Sequence, residues 1–164
     1  MENTAIRHVT AQLAELLCAR QWQLACAESC TGGGIAKVCT DLAGSSAWFE
    51  CGFVTYSNAA KQRLLGVELE TLKRFGAVSE AVVAEMAQGA LRHSDAQVAV
   101  AVSGIAGPSG ATADKPVGFV CFAWQLPNQA VATAVQYFQG DREAVRDQAV
   151  AFALRGLVTR LAAS

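Results

Sequence analysis

Two short, continuously apolar runs, each closed by a glycine-rich turn, constrain this chain more than any other feature. "WQLACAE" leads into Ser29–Gly34, and "QVAVAVSG" leads into "SGIAGPSGATADKPVG". A run without polar alternation has no face to give to water, so each reads as a core strand covered on both sides. Apolar positions at helical spacing (Ile6, Val9, Leu13, Leu16, Leu17) predict a helix over Ala5–Arg20, ahead of a strand at about Gln23–Ala27. A helix follows the first glycines to about Thr40. "GSSAWFECGFVTYS" reads as a loop entering a strand of aromatic and β-branched residues. Ser57 or Asn58 caps a short helix ending near Gly66, a second short helix ends near Gly76, and Ser79 caps a longer one reaching about Arg92. Strands at "FVCFAWQ" and "VATAVQYF", turned at Pro127-Asn128, precede a last helix from Asp141 to about Leu161. Helices before and between strands predict one three-layer α/β/α domain over residues 1–164, and the adjacent last strands make its sheet mixed.

Composition supports burial and removes several classes of partner. With 164 residues, 52% hydrophobic and 16% charged, the chain can bury one sizeable core. A net charge of −1 excludes nucleic acid as the main partner, which needs a basic excess. No apolar run approaches the ~20 residues of a membrane span. The start, "MENTAIRHVTAQLAELL", spreads its charges through an amphipathic helix, unlike a signal peptide, and so points to the cytoplasm. Cys18, Cys26, Cys39, Cys51 and Cys121 sit in apolar segments without any C-x-x-C pair, and the two histidines are far apart. Reduced structural thiols and no metal site are the expectation.

Crevices outside the carboxyl ends of strands are the usual ligand sites of open α/β sheets, which puts both glycine loops in view. Neither is a P-loop or G-x-G-x-x-G, so a phosphate here would be held by backbone amides. In the first loop two readings stand. Ser29 and Thr31 cap the next helix, or one hydroxyl is a nucleophile facing the amide dipoles of a helix start. Neither His8, in the first helix, nor His93, at the far end of another, is placed to serve as its base. Lys61, five residues after Tyr56 and early in a helix, is the remaining base. Desolvation there would lower its pKa, and Tyr56 would position it or relay its proton; the plain alternative is a solvated surface lysine. Cys30 competes with Ser29, since a thiol at a helix N-terminus has a lowered pKa. Thr31, Ser45 and Ser46 are further hydroxyls. Arg142 and Arg146 form one cationic face suited to phosphate, unless Asp141, Glu143 and Asp147 neutralise it. Lys115 is either a ligand contact or an exposed loop charge.

Taken together, "AESCTGG", "GSSAWFECGFVTYSNAAK", "GAVSE", "VSGIAGPSG…KPVG" and "GDREAVRDQA" resemble the CinA C-terminal domain family, the nicotinamide-nucleotide amidohydrolases, over essentially the whole chain. The resemblance implies a three-layer α/β fold, no cofactor and no metal. It implies a small-molecule substrate, nicotinamide mononucleotide, deamidated to nicotinate mononucleotide with release of ammonia by a serine nucleophile and a lysine base. It also implies a homodimer, and a likeness to the stand-alone enzymes of the family. Carried over, Ser29 is the nucleophile, Lys61 the base and Tyr56 the tyrosine beside it, with Ser46 and Thr31 open as alternative hydroxyls. Thr31, Gly32, Gly33, Ser46, Ser103, Gly104, Gly107 and Arg142 are the expected substrate contacts, the amides of Thr31–Gly33 facing the oxyanion. Relatives often carry glycine where Ala111 stands. A catalytically silent nucleotide-binding module of the same fold, and a hydrolase of another small amide, are the competing expectations.

Overall fold

The computed structural model describes residues 2–164. Its elements run α1 (Glu2–Arg20), β1 (Leu24–Glu28), α2 (Gly34–Asp41), a 3₁₀ turn (Ser45–Ala47), β2 (Phe49–Val54), α3 (Asn58–Leu65), α4 (Leu69–Phe75), α5 (Glu80–Arg92), β3 (Val98–Gly104), β4 (Phe119–Gln125), β5 (Ala132–Tyr137) and α6 (Arg142–Ala163). The strands form one sheet in the order β2-β1-β3-β4-β5. β1 is parallel to both β2 and β3, whereas β3–β4 and β4–β5 are antiparallel. This is the mixed α/β sheet that the sequence predicts.

Strand periodicity divides the core into two layers. Leu24, Cys26, Val98, Val100, Val102, Val120, Phe122 and Trp124 pack with α1, α2 and α6 on one face. Their alternates Ala25, Ala27, Ala99, Ala101, Phe119, Cys121 and Ala123 pack with α5 and its neighbours on the other. Small alanines on that second face let α5 lie close to β3 and β4. Burial on both faces explains why β1 and β3 read as unbroken apolar runs.

Helix starts follow local hydrogen-bond chemistry. Ser57 and Ser79 cap α3 and α5 by accepting from Ala60 N and Val82 N, as their sequence positions predict. Asp141 does the same for α6, accepting from Ala144 N. α1 begins earlier than Ala5, because apolar spacing marks only the packed face of a helix and not its polar first turn. The first strand lies one residue later than predicted, ending on Glu28. The cap of α2 is a correction: Gly33 stands at the N-cap with φ of 100°, and no side chain of the loop caps it.

The chain leaves β1 toward β2 on one side, and leaves β3 toward β4 on the other. The carboxyl ends of β1 and β3 therefore flank a topological switch point, where an open sheet leaves a crevice. Both glycine loops start there.

Candidate active site

Ser29 directly follows β1, and its amide donates to Val102 O of β3 at 3.0 Å, so the sheet itself fixes its backbone. Its side chain is nearly buried, at 8% exposure. Lys61 comes from the opposite direction, on the first turn of α3, and is 1% exposed despite its charge-bearing amine. Lys61 Nζ donates to Ser29 Oγ at 3.0 Å, to Thr55 O at 2.9 Å and to Tyr56 O at 3.2 Å. Among the described residues it has no carboxylate partner. Burial lowers its pKa from 10.5, because a charged amine loses hydration there that two carbonyls replace only in part. A neutral lysine keeps two N–H bonds and one lone pair. With the two carbonyls taking the hydrogens, the lone pair faces Ser29 Oγ. The surface-lysine alternative is excluded by this burial.

The other nucleophile candidates separate cleanly. Thr31 is buried, and its hydroxyl donates to Glu28 Oε1 at 2.6 Å, away from Lys61. Burial pushes the Cys30 thiol up to about 11, which overturns the expectation of a depressed pKa at the helix start. Burial raises the Cys26 and Cys39 thiols as well. Ser46 lies in the 3₁₀ turn ahead of β2, and β2 begins beside Leu24, at the start of β1. Ser29 stands at the other end of that strand, so within this chain Ser46 is not brought to the site, either as nucleophile or as substrate contact. The adjacent Ser45 shares that position. His8 and His93 are exposed on α1 and at the end of α5.

Tyr56 enters differently from expectation. Its backbone carbonyl, not its phenol, meets Lys61; the phenol is 60% exposed and accepts from Arg142 Nη2 at 3.1 Å. Arg142 Nη1 donates to Gly107 O at 2.9 Å, which joins Tyr56, α6 and the second glycine loop. Gly107 has φ of +83°, and a Cβ there would lie 2.5 Å from Val117 Cγ1, so the loop requires glycine. Arg146 Nε and Nη2 donate to Cys30 O at 3.0 Å and Thr31 O at 3.3 Å. Neither arginine forms an ion pair with Asp141, Glu143 or Asp147 among the described residues. Thr31, Gly34, Arg142, Glu143, Arg146, Asp147 and Val150 line a cleft beside the loop.

Of the amides expected to face an oxyanion, Gly32 N donates to Ser29 O at 3.0 Å and is therefore occupied. Among the described residues, the Thr31 and Gly33 amides donate to no acceptor. Ser103 and Gly104 end β3 beside Ser29, but Ser103 Oγ donates to Ala77 O at 2.9 Å and Gly104 packs its Cα against Val120. Lys115 is a loop anchor, donating to Phe75 O at 2.8 Å. Two further grooves between α1, α2 and α6 pair no nucleophile with a base. Among the described residues no three His, Cys, Asp or Glu side chains gather as a metal site. No helix among them is long and apolar enough to cross a membrane.

Sequence reasoning missed Glu28. It is fully buried, and its carboxyl accepts from Thr31 Oγ1, Ile35 N and Ala36 N. The signal present was an acidic residue closing a run too apolar to leave it in water.

Fold and site define a three-layer α/β protein with a buried serine–lysine pair at the ends of its parallel strands. The profile of the CinA C-terminal domain matches residues 6–161, and the chain belongs to that family. It is 56% identical over 155 residues to the nicotinamide-nucleotide amidohydrolase PncC of Enterobacter agglomerans, covering 94% of each chain. It is 53% identical over 157 residues to the protein of that name from Escherichia coli strain K12, covering 96% of this chain and 95% of the relative. A crystal structure of a competence-damaged protein (CinA) superfamily protein from Klebsiella pneumoniae superposes with a TM-score of 0.93 at 43% identity, covering 97% of this chain and 99% of that one.

Proposed function

We propose that the chain is an amidohydrolase that converts nicotinamide mononucleotide to nicotinate mononucleotide and ammonia, with Ser29 as nucleophile and Lys61 as base. The observation that carries the reading is the buried 3.0 Å contact between Lys61 Nζ and Ser29 Oγ. Full-length likeness to relatives named nicotinamide-nucleotide amidohydrolase supports the substrate class.

Neutral Lys61 takes the Ser29 hydroxyl proton as Oγ attacks the carboxamide carbon. The tetrahedral oxyanion meets the unoccupied amides of Thr31 and Gly33. Lys61 then returns the proton to the leaving nitrogen, the C–N bond breaks, and ammonia departs from an acyl-serine. A water attacks that ester while Lys61 accepts its proton, and collapse frees the carboxylate and Ser29. Arg142, beside the cleft, is the phosphate contact in this reading, because a guanidinium matches phosphate in charge and geometry.

Ammonia release from nicotinamide, its riboside, its mononucleotide and the dinucleotide tests the assignment. Turnover of the mononucleotide above the other three is expected. Equal turnover without the 5′-phosphate would make the protein a hydrolase of another small amide. Mononucleotide binding with no ammonia would make it a silent nucleotide-binding module.

A further inference from the structure

Glu28 occupies a position that neither capping of one helix nor pairing of one strand accounts for alone. Its backbone belongs to the sheet: it pairs with Val54 on one side and Val102 on the other, and its carbonyl accepts from Thr55 N at 2.9 Å. Its carboxyl belongs to the helix layer. Oε1 accepts from Thr31 Oγ1 at 2.6 Å and Ile35 N at 2.9 Å, and Oε2 accepts from Ala36 N at 3.0 Å and Cys26 Sγ at 3.5 Å. The opening amides of α2, left without a cap by Gly33, are thus satisfied from the preceding strand, where the helix dipole also favours a carboxylate. One residue therefore ties sheet to helix, and the Ser29–Gly33 loop spans the two tie points. Its middle is pinned to the same carboxyl through Thr31.

We propose that Glu28 is a positioning residue for the oxyanion-facing loop, holding the free Thr31 and Gly33 amides at a fixed distance from Ser29 Oγ. This rests on the serine–lysine reading above. Both carboxyl oxygens accept, so Glu28→Gln keeps the shape but turns one acceptor into an NH2 group that opposes donors. Thr31→Val removes only the link to the loop centre.

The two variants and the native chain are compared by steady-state ammonia release and by the rate at which a fluorophosphonate probe labels Ser29, which needs no knowledge of the natural amide. Hydrogen exchange and thermal melting report folding. For folded Glu28→Gln we expect kcat to fall about 10²-fold, as for loss of an oxyanion donor, with KM within about threefold. Thr31→Val is expected to lose roughly tenfold in kcat, a milder misplacement of the same amides. Labelling of Ser29 slows in parallel, and exchange at residues 30–36 rises while β1 and β3 stay protected. A helix cap with a purely structural role would lower the melting temperature and leave kcat and labelling of the folded protein unchanged; that result overturns the proposal. If Glu28→Gln does not fold, Thr31→Val decides alone by the same criteria. If the native chain labels at Ser29 but releases no ammonia from the mononucleotide, the substrate reading fails and the labelling rates still judge Glu28. A native chain that neither turns over nor labels overturns both.

Discussion

The two glycine loops start side by side, at the ends of β1 and β3, yet they are built in opposite ways. The first is buried from Glu28 through Thr31 and held along its length: at Ser29 by the sheet, at Thr31 by Glu28, and at Cys30 and Thr31 by Arg146. The second is exposed from Pro108 to Asp114 and is fastened toward its ends. Arg142 holds Gly107, Lys115 reaches Phe75 O, and Gly118 N donates to Ile105 O at 2.7 Å. A loop pinned through its middle keeps reacting atoms in place, whereas one pinned at its ends leaves its centre able to adapt to a ligand. Glycine-containing loops thus serve rigidity in one case and accommodation in the other.

Substitutions in each loop test that division. Ser29→Ala is expected to fold with native circular dichroism and to lose about 10³-fold or more in kcat, measured by ammonia release. Near-native turnover would remove chemistry from the first loop. Arg146→Ala withdraws two charge-assisted bonds from the loop carbonyls; roughly tenfold lower kcat and about 1.5–3 kcal/mol lower stability in urea unfolding are expected. An unchanged kcat would mean that the loop does not need this strut. Arg142→Ala should act on the second loop and the cleft, raising KM for the mononucleotide about tenfold with little change for the riboside, since only the former carries the phosphate. An equal effect on both would assign Arg142 to loop structure instead. Ala111→Gly, in the exposed centre of the second loop, should change kcat and KM by less than about threefold. A larger loss would show that this centre is as constrained as the first loop.

Much of the fold and part of the site were legible in the sequence, for identifiable reasons. β4 coincides with "FVCFAWQ", and Ser57 and Ser79 cap the helices they precede, because burial and capping are local signals. The lack of a placed histidine and a lysine just beyond an aromatic strand made Lys61 a candidate base, and the family resemblance then singled out its pairing with Ser29. Glu28 was not legible, because its acceptor role depends on amides seven and eight residues onward meeting it across a turn. Ser46 was misplaced because its distance from Ser29 is set by the parallel register of β1 and β2, which no local pattern encodes. The outward turn of the Tyr56 phenol depends on Arg142, 86 residues away in the chain.

The central claim is that Lys61 is a base, and the pH dependence of kcat/KM in the native chain and Lys61→Arg tests it most directly. The active lysine is the neutral one, so the native rate should rise with pH and level off above a lysine pKa that burial holds below 10.5. Arginine stays protonated throughout this range, so folded Lys61→Arg should lose roughly 10²-fold or more in kcat, and with it the rising limb. If Lys61→Arg instead keeps the native kcat and the same rising limb, changing only KM, Lys61 is a binding residue and the serine–lysine account is wrong.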